Sequence, residues 1–107
     1  GSLEITANEV TLTIKVVDID TGNPIEGAMV LVTNVAETVT YIDKLETNAS
    51  GEVSFTGTGS GAAVVGRVRA ATPQSKPYTS YYKTGSVAGT FSATADTTIT
   101  VQMIKDQ

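Results

Sequence analysis

Apolar and polar residues alternate through TLTIKVVD at 11–18. Leu12, Ile14 and Val16 fall on one side and Thr11, Thr13, Lys15 and Val17 on the other. Side chains of an extended chain point alternately to opposite faces, so a period of two predicts a strand with one dry face. Residues 28–33 repeat the pattern with Val30 and Val32 inward, and 97–104 do so with Ile99, Val101 and Met103 inward. Over 63–71, Val64, Gly66, Val68 and Ala70 oppose Val65, Arg67, Arg69 and Ala71, which turns both arginines to solvent. At 38–45 the facing is ambiguous: Val39, Tyr41 and Asp43 share one side, and Thr38, Thr40 and Ile42 the other. Residues 53–55 read as a short strand with Val53 and Phe55 buried. Residues 78–83 and 90–93 are weaker strands joined through 85–89. No stretch sustains a helical period.

Turn chemistry separates these runs. Residues 19–27 carry Gly22, Pro24 and Gly27, which supply a positive φ, a fixed φ and a bulge, so the chain reverses there. Residues 47–52 are a turn by composition, 57–61 a glycine-rich flexible connection, and the prolines at 73 and 77 end the strand over 63–71. Seven or eight short strands at regular spacing predict an all-β, immunoglobulin-like Greek-key sandwich of about seven strands. The 107 residues fit one domain. Its expected extent is 11–107, with 1–10 a tag remnant and lead-in; no repeat or second boundary is visible.

Composition narrows the chemistry. The chain has no Cys, His or Trp, which removes disulfides, thiolate chemistry, the usual general base at neutral pH and the commonest metal ligand. Enzymatic function is therefore disfavoured and no cofactor is expected. Seven basic against eleven acidic residues give a net charge of −4, scattered without blocks, which disfavours nucleic acid. No apolar run has the length to cross a bilayer, so no membrane insertion is expected.

The run TIKVVDIDTGNPIEGAMVL at 13–31, followed by TNASGEVSF at 47–55, resembles the carboxypeptidase regulatory-like, or prealbumin-like, modules. Their pattern is a strand, then D-x-x-T-G-x-P-I-x-G-A-x-V, then T-x-x-x-G-x-x-x-F. The later segments Gly66-Arg67-Val68-Arg69, Tyr81-Tyr82-Lys83-Thr84 and TVQMIKD at 100–106 are similar to immunoglobulin-like modules of tailed-phage structural proteins. These resemblances imply a spacer, decoration or adhesive module of a virion or an extracellular cell surface. A related branch, the collagen-adhesin B-type domains, has a similar turn and forms an internal isopeptide bond from a buried lysine. That lysine's position here is Val16, Lys15 lies one residue away and faces water, and the slot of the proton-shuttling acid is Arg69.

Asp18, Asp20 and Asn23 could offer oxygens to Ca²⁺, but a hand-type loop needs an acid where Met29 stands, so an Asx-type turn is the favoured reading and no metal is expected. Asn48-Ala49-Ser50 fits a glycosylation sequon of low specificity. The surface candidates are Tyr78, Tyr81, Tyr82 and Lys83, whose aromatic and polar side chains suit a sugar or a protein partner. Arg67 and Arg69 join them as a pair able to meet acidic groups of a neighbour. The plainer reading has Tyr81 or Tyr82 plugging an end of the sandwich. The expected function is a non-catalytic structural or adhesive module with protein partners, self-association included. The alternative is a carbohydrate-binding module.

Overall fold

A computed structural model describes residues 9–70 and 82–105. These residues form seven strands: β1 (Glu9–Asp18), β2 (Met29–Asn34), β3 (Thr40–Glu46), β4 (Glu52–Thr58), β5 (Ala62–Arg69), β6 (Gly85–Phe91) and β7 (Thr97–Met103). They make a three-stranded sheet of order β4-β1-β7 and a four-stranded sheet of order β3-β2-β5-β6. The hairpins β2-β3 and β5-β6 both lie in the larger sheet, and the chain crosses the core to place β1, β4 and β7 in the smaller. All neighbours are antiparallel except β1 and β7, which run parallel. The result is an all-β sandwich. Among the described residues no helix is long and apolar enough to cross a membrane.

The alternation of β1 is the axis of the core. Leu12, Ile14 and Val16 are fully buried, and they meet Val30, Val32, Val64 and Val68 from the facing sheet in one apolar cluster. Thr11, Thr13 and Lys15 stay on the outer side, half-buried. Val17, expected on that side, is buried instead, because Pro24 folds back across it in an isolated bridge. Aromatic rings close the sandwich at β3 and β4. Tyr41, Phe55 and Phe91 pack with ring centroids 5.5–5.7 Å apart, two of the three pairs edge-on as ring quadrupoles favour. Phe55 and Val53, expected to be buried, are half-buried.

Two connections expected from the sequence change. Residues 57–61 are not wholly a flexible link, since β4 runs through Gly57 to Thr58 paired with Val10 and Glu9. Residues 85–89 are not a connection between strands but the body of β6, paired with β5 from Gly85 to Phe91. Glycine is needed there for close approach: a Cβ at Gly89 would stand 2.5 Å from Ile99 Cδ1, and one at Gly85 2.7 Å from Met103 Sδ. The absent side chains let the sheet edge holding β6 settle on β7. Finally, the mixed facing of β3 has a physical origin. Its register with β2 shifts twice, between Val30 and Leu31 and between Val32 and Thr33. Such bulges break a strict period of two, so Ile42 is buried while its neighbour Tyr41 also packs on the core.

Candidate functional site

The turn after β1 is built around one carboxylate. Asp18 Oδ1 accepts hydrogen bonds from the backbone N–H groups of Asp20 (2.7 Å) and Thr21 (3.1 Å). Its backbone carbonyl accepts from the Gly22 N–H and its N–H donates to the Asn23 carbonyl. Gly22 and Gly27 both take positive φ, as the reversal requires. The chain then returns along β1, with the Ile25 N–H donating to the Val16 carbonyl at 3.0 Å. Asp18 thus acts as the Asx-type anchor of its own turn.

The second oxygen of Asp18 looks inward. The Tyr82 hydroxyl donates to Oδ2 at 2.8 Å, and Lys105 Nζ lies 3.9 Å from the same atom. Tyr82 is only 2% exposed. The backbones of Tyr82 and Lys105 pair with each other, and the Lys83 N–H donates to the Ile104 carbonyl. One buried acid therefore ties together the turn after β1, the segment entering β6 and the segment leaving β7. The Tyr82 hydrogen bond, then the N–H groups of Asp20 and Thr21 and the Lys105 charge, hold the Asp18 carboxyl below its ordinary value of 3.8, against the opposing effect of burial. A cleft of about 180 Å³ beside this cluster is lined by Asp18, Thr21, Asn23, Pro24, Ile25, Tyr82 and Lys105. Among the described residues no group of three or more acids forms a metal site.

Thr47 anchors the other end of the turn. Its hydroxyl donates to the Ile25 carbonyl at 2.6 Å and accepts from the Ala28 N–H at 2.9 Å. Gly51 lets the next turn approach: its φ is +76°, and a Cβ there would sit 2.6 Å from the Val16 carbonyl oxygen. The sequon asparagine has a structural task as well, since Asn48 Oδ1 accepts from the N–H groups of Ser50 and Glu52.

The surface residues singled out in the sequence separate. Tyr82 is not a surface contact; its ring fills the end of the sandwich because its hydroxyl has a buried carboxylate to meet. Lys83 is exposed beside it, and Tyr78 and Tyr81 lie outside the described residues. Arg67 and Arg69 are exposed on the outer face of β5, opposite Leu31 and Met29 of β2. Lys15 projects to the surface, where Nζ reaches Glu52 Oε2 at 3.6 Å and the Ser50 carbonyl at 3.2 Å, while the buried position belongs to Val16. A buried lysine for self-crosslinking is therefore missing from β1. The rest of the outer face of the smaller sheet is hydroxylic: Thr11 pairs with Thr56, Thr13 with Ser54 and Thr98, and Thr100 stands beside Lys15.

Sequence reasoning missed the Asp18–Tyr82 contact, whose partners are 64 residues apart. It also missed the task of Thr47, for which the T-x-x-x-G spacing was the available signal.

No protein-family model matches the chain, and no curated protein sequence matches it. Among solved structures, it is similar to that of Klebsiella pneumoniae 5-hydroxyisourate hydrolase, with a TM-score of 0.57 and 18% sequence identity over 92% of this chain and 99% of the other. At that identity the likeness is one of architecture, and it gives the two-sheet arrangement its description: a prealbumin-like β-sandwich.

Proposed function

We propose that this chain is a non-catalytic structural or adhesive module of a phage virion or a cell-surface protein, of the carboxypeptidase regulatory-like kind. The observation that carries the reading is the Asp18 cluster. Both oxygens of its carboxylate accept hydrogen bonds from within the chain, so that group serves the fold. A carboxyl held below its ordinary value is a poor proton acceptor near neutrality, and the 107 residues contain neither His nor Cys to replace it. Among the described residues, the exposed charged and hydroxylic side chains of the strand faces suit attachment better than turnover. The D-x-x-T-G-x-P-I-x-G-A turn supports the family assignment.

Two measurements test this. Immunogold labelling with antibodies raised against the chain is expected to decorate the outside of particles or cells; labelling confined to the cell interior overturns the reading. Incubation with 5-hydroxyisourate, the compound named for the structural neighbour, is expected to show no acceleration over the buffer rate. Turnover abolished by a single Asp or Glu substitution would establish an enzyme instead.

A further inference from the structure

Two registered rows on the outward side of the larger sheet carry opposite charges at their two ends. Met29 of β2 stands between Glu46 of β3 and Arg69 of β5, and Leu31 stands between Asp43 and Arg67. Directly opposed residues share a face of the sheet, so the rows form three stripes along the strands: acidic on β3, aliphatic on β2, basic on β5. Met29 is 42% exposed, and all four charged residues are exposed. Acid and arginine stand two strands apart, about 10 Å at ordinary strand spacing, with an aliphatic side chain between them. Among the described residues none of the four enters an ion pair. Lys44, in the bulge of β3, belongs to neither row.

We propose that this face docks a second copy of the same chain about a two-fold axis parallel to the strands. Rotation about that axis exchanges left and right across β2 while preserving position along it. Glu46 then meets the partner's Arg69, Asp43 meets the partner's Arg67, each pair occurs twice, and Met29 and Leu31 pack against their own copies at the centre. The other in-plane axis, across the strands, lays acid on acid and arginine on arginine, a costly juxtaposition. The stripe pattern thus selects both the partner and its orientation, as an isologous interface requires.

The aliphatic strip is narrow beside the roughly 800 Å² per partner of a standard interface, so the dissociation constant is on the order of 0.1 mM. Copies arrayed on one surface reach comparable effective concentrations. This pairing of faces follows from register, exposure and charge, and stands whether or not the chain is an attachment module.

Sedimentation equilibrium of the 107-residue chain, up to about 1 mM protein in low salt, tests it. Dimers are expected, weakened about tenfold or more in 0.5 M salt, where charges are screened beyond roughly 4 Å. The double variants R67E/R69E and D43R/E46R are each expected to remain monomeric with unchanged circular dichroism and melting. Mixing the two is expected to restore dimers, because an all-acid face then meets an all-basic one. A chain monomeric throughout the range overturns the proposal. So does dimerisation insensitive to both charge reversals, the behaviour of edge-to-edge strand pairing.

Discussion

Two buried backbone groups depend on the Thr47 hydroxyl, which bridges Ile25 and Ala28. Thr47→Val keeps the shape and leaves both groups without that partner, so a loss of about 1–3 kcal/mol is expected, read as a lower urea midpoint at unchanged slope. Asp18 makes its contribution through charge. Its folded carboxyl titrates below 3.8, so the stabilisation is present in full above that value and is lost as pH falls through the lowered folded value. The difference in melting temperature between the native chain and D18N is therefore expected to be constant from pH 7 down to about 5 and to shrink below pH 4. Tyr82→Phe removes the largest cause of the shift and should move that loss to higher pH. A difference that stays constant to pH 2 would remove Asp18 from this role. Of these residues the sequence showed Asp18 and Asp20 as turn formers, because an Asx turn is completed within three residues. It held no sign that Tyr82 would reach Asp18.

At the level of the strand, β6 shows what periodicity cannot see. GSVAGTF buries only Val87 and Phe91, while Gly85 is half-buried and Gly89 exposed, and the two glycines on the side that faces β7 erase the apolar signal. The spaces they leave are filled by Met103 and Ile99 of β7. Gly89→Ala is expected to destabilise by about 1 kcal/mol or less, because the end of the Ile99 side chain can turn away from the new methyl. Ile99→Val removes the Cδ1 atom that the new methyl would strike, so the double variant should recover part of the loss in a double-mutant cycle. Strict additivity of the two changes would show that Gly89 answers to something other than Ile99. β3 was hard to read for a different reason, its two bulges. Bulges also guard an edge, since they twist unpaired backbone groups away from a neighbouring strand.

In the whole molecule, β1 holds the smaller sheet together with β4 on one side and β7 on the other, and the turn after it is fastened to both later segments through Asp18. Opening β1 therefore requires opening everything. Hydrogen exchange is expected to be slowest in the β1 amides bonded to β4 and β7, with protection equal to the global unfolding free energy. β3, at an edge and twice bulged, should exchange earlier by local opening. Equal protection in the two strands would contradict this hierarchy.

The sequence by itself determined the class of fold, the strands β1, β2, β5 and β7, the reversal at Gly22 to Gly27 and the outward arginines of β5. Each of these is written within a few consecutive residues as a period of two or a required backbone angle. Tertiary structure alone decided the parallel pairing of β1 with β7, the strand at 85–91, the burial of Val17, the meeting of Tyr82 with Asp18, and the alignment of acid, aliphatic and arginine rows across β3, β2 and β5. Those features depend on which strands become neighbours and in what register, and neighbours are chosen by packing between residues far apart in the chain.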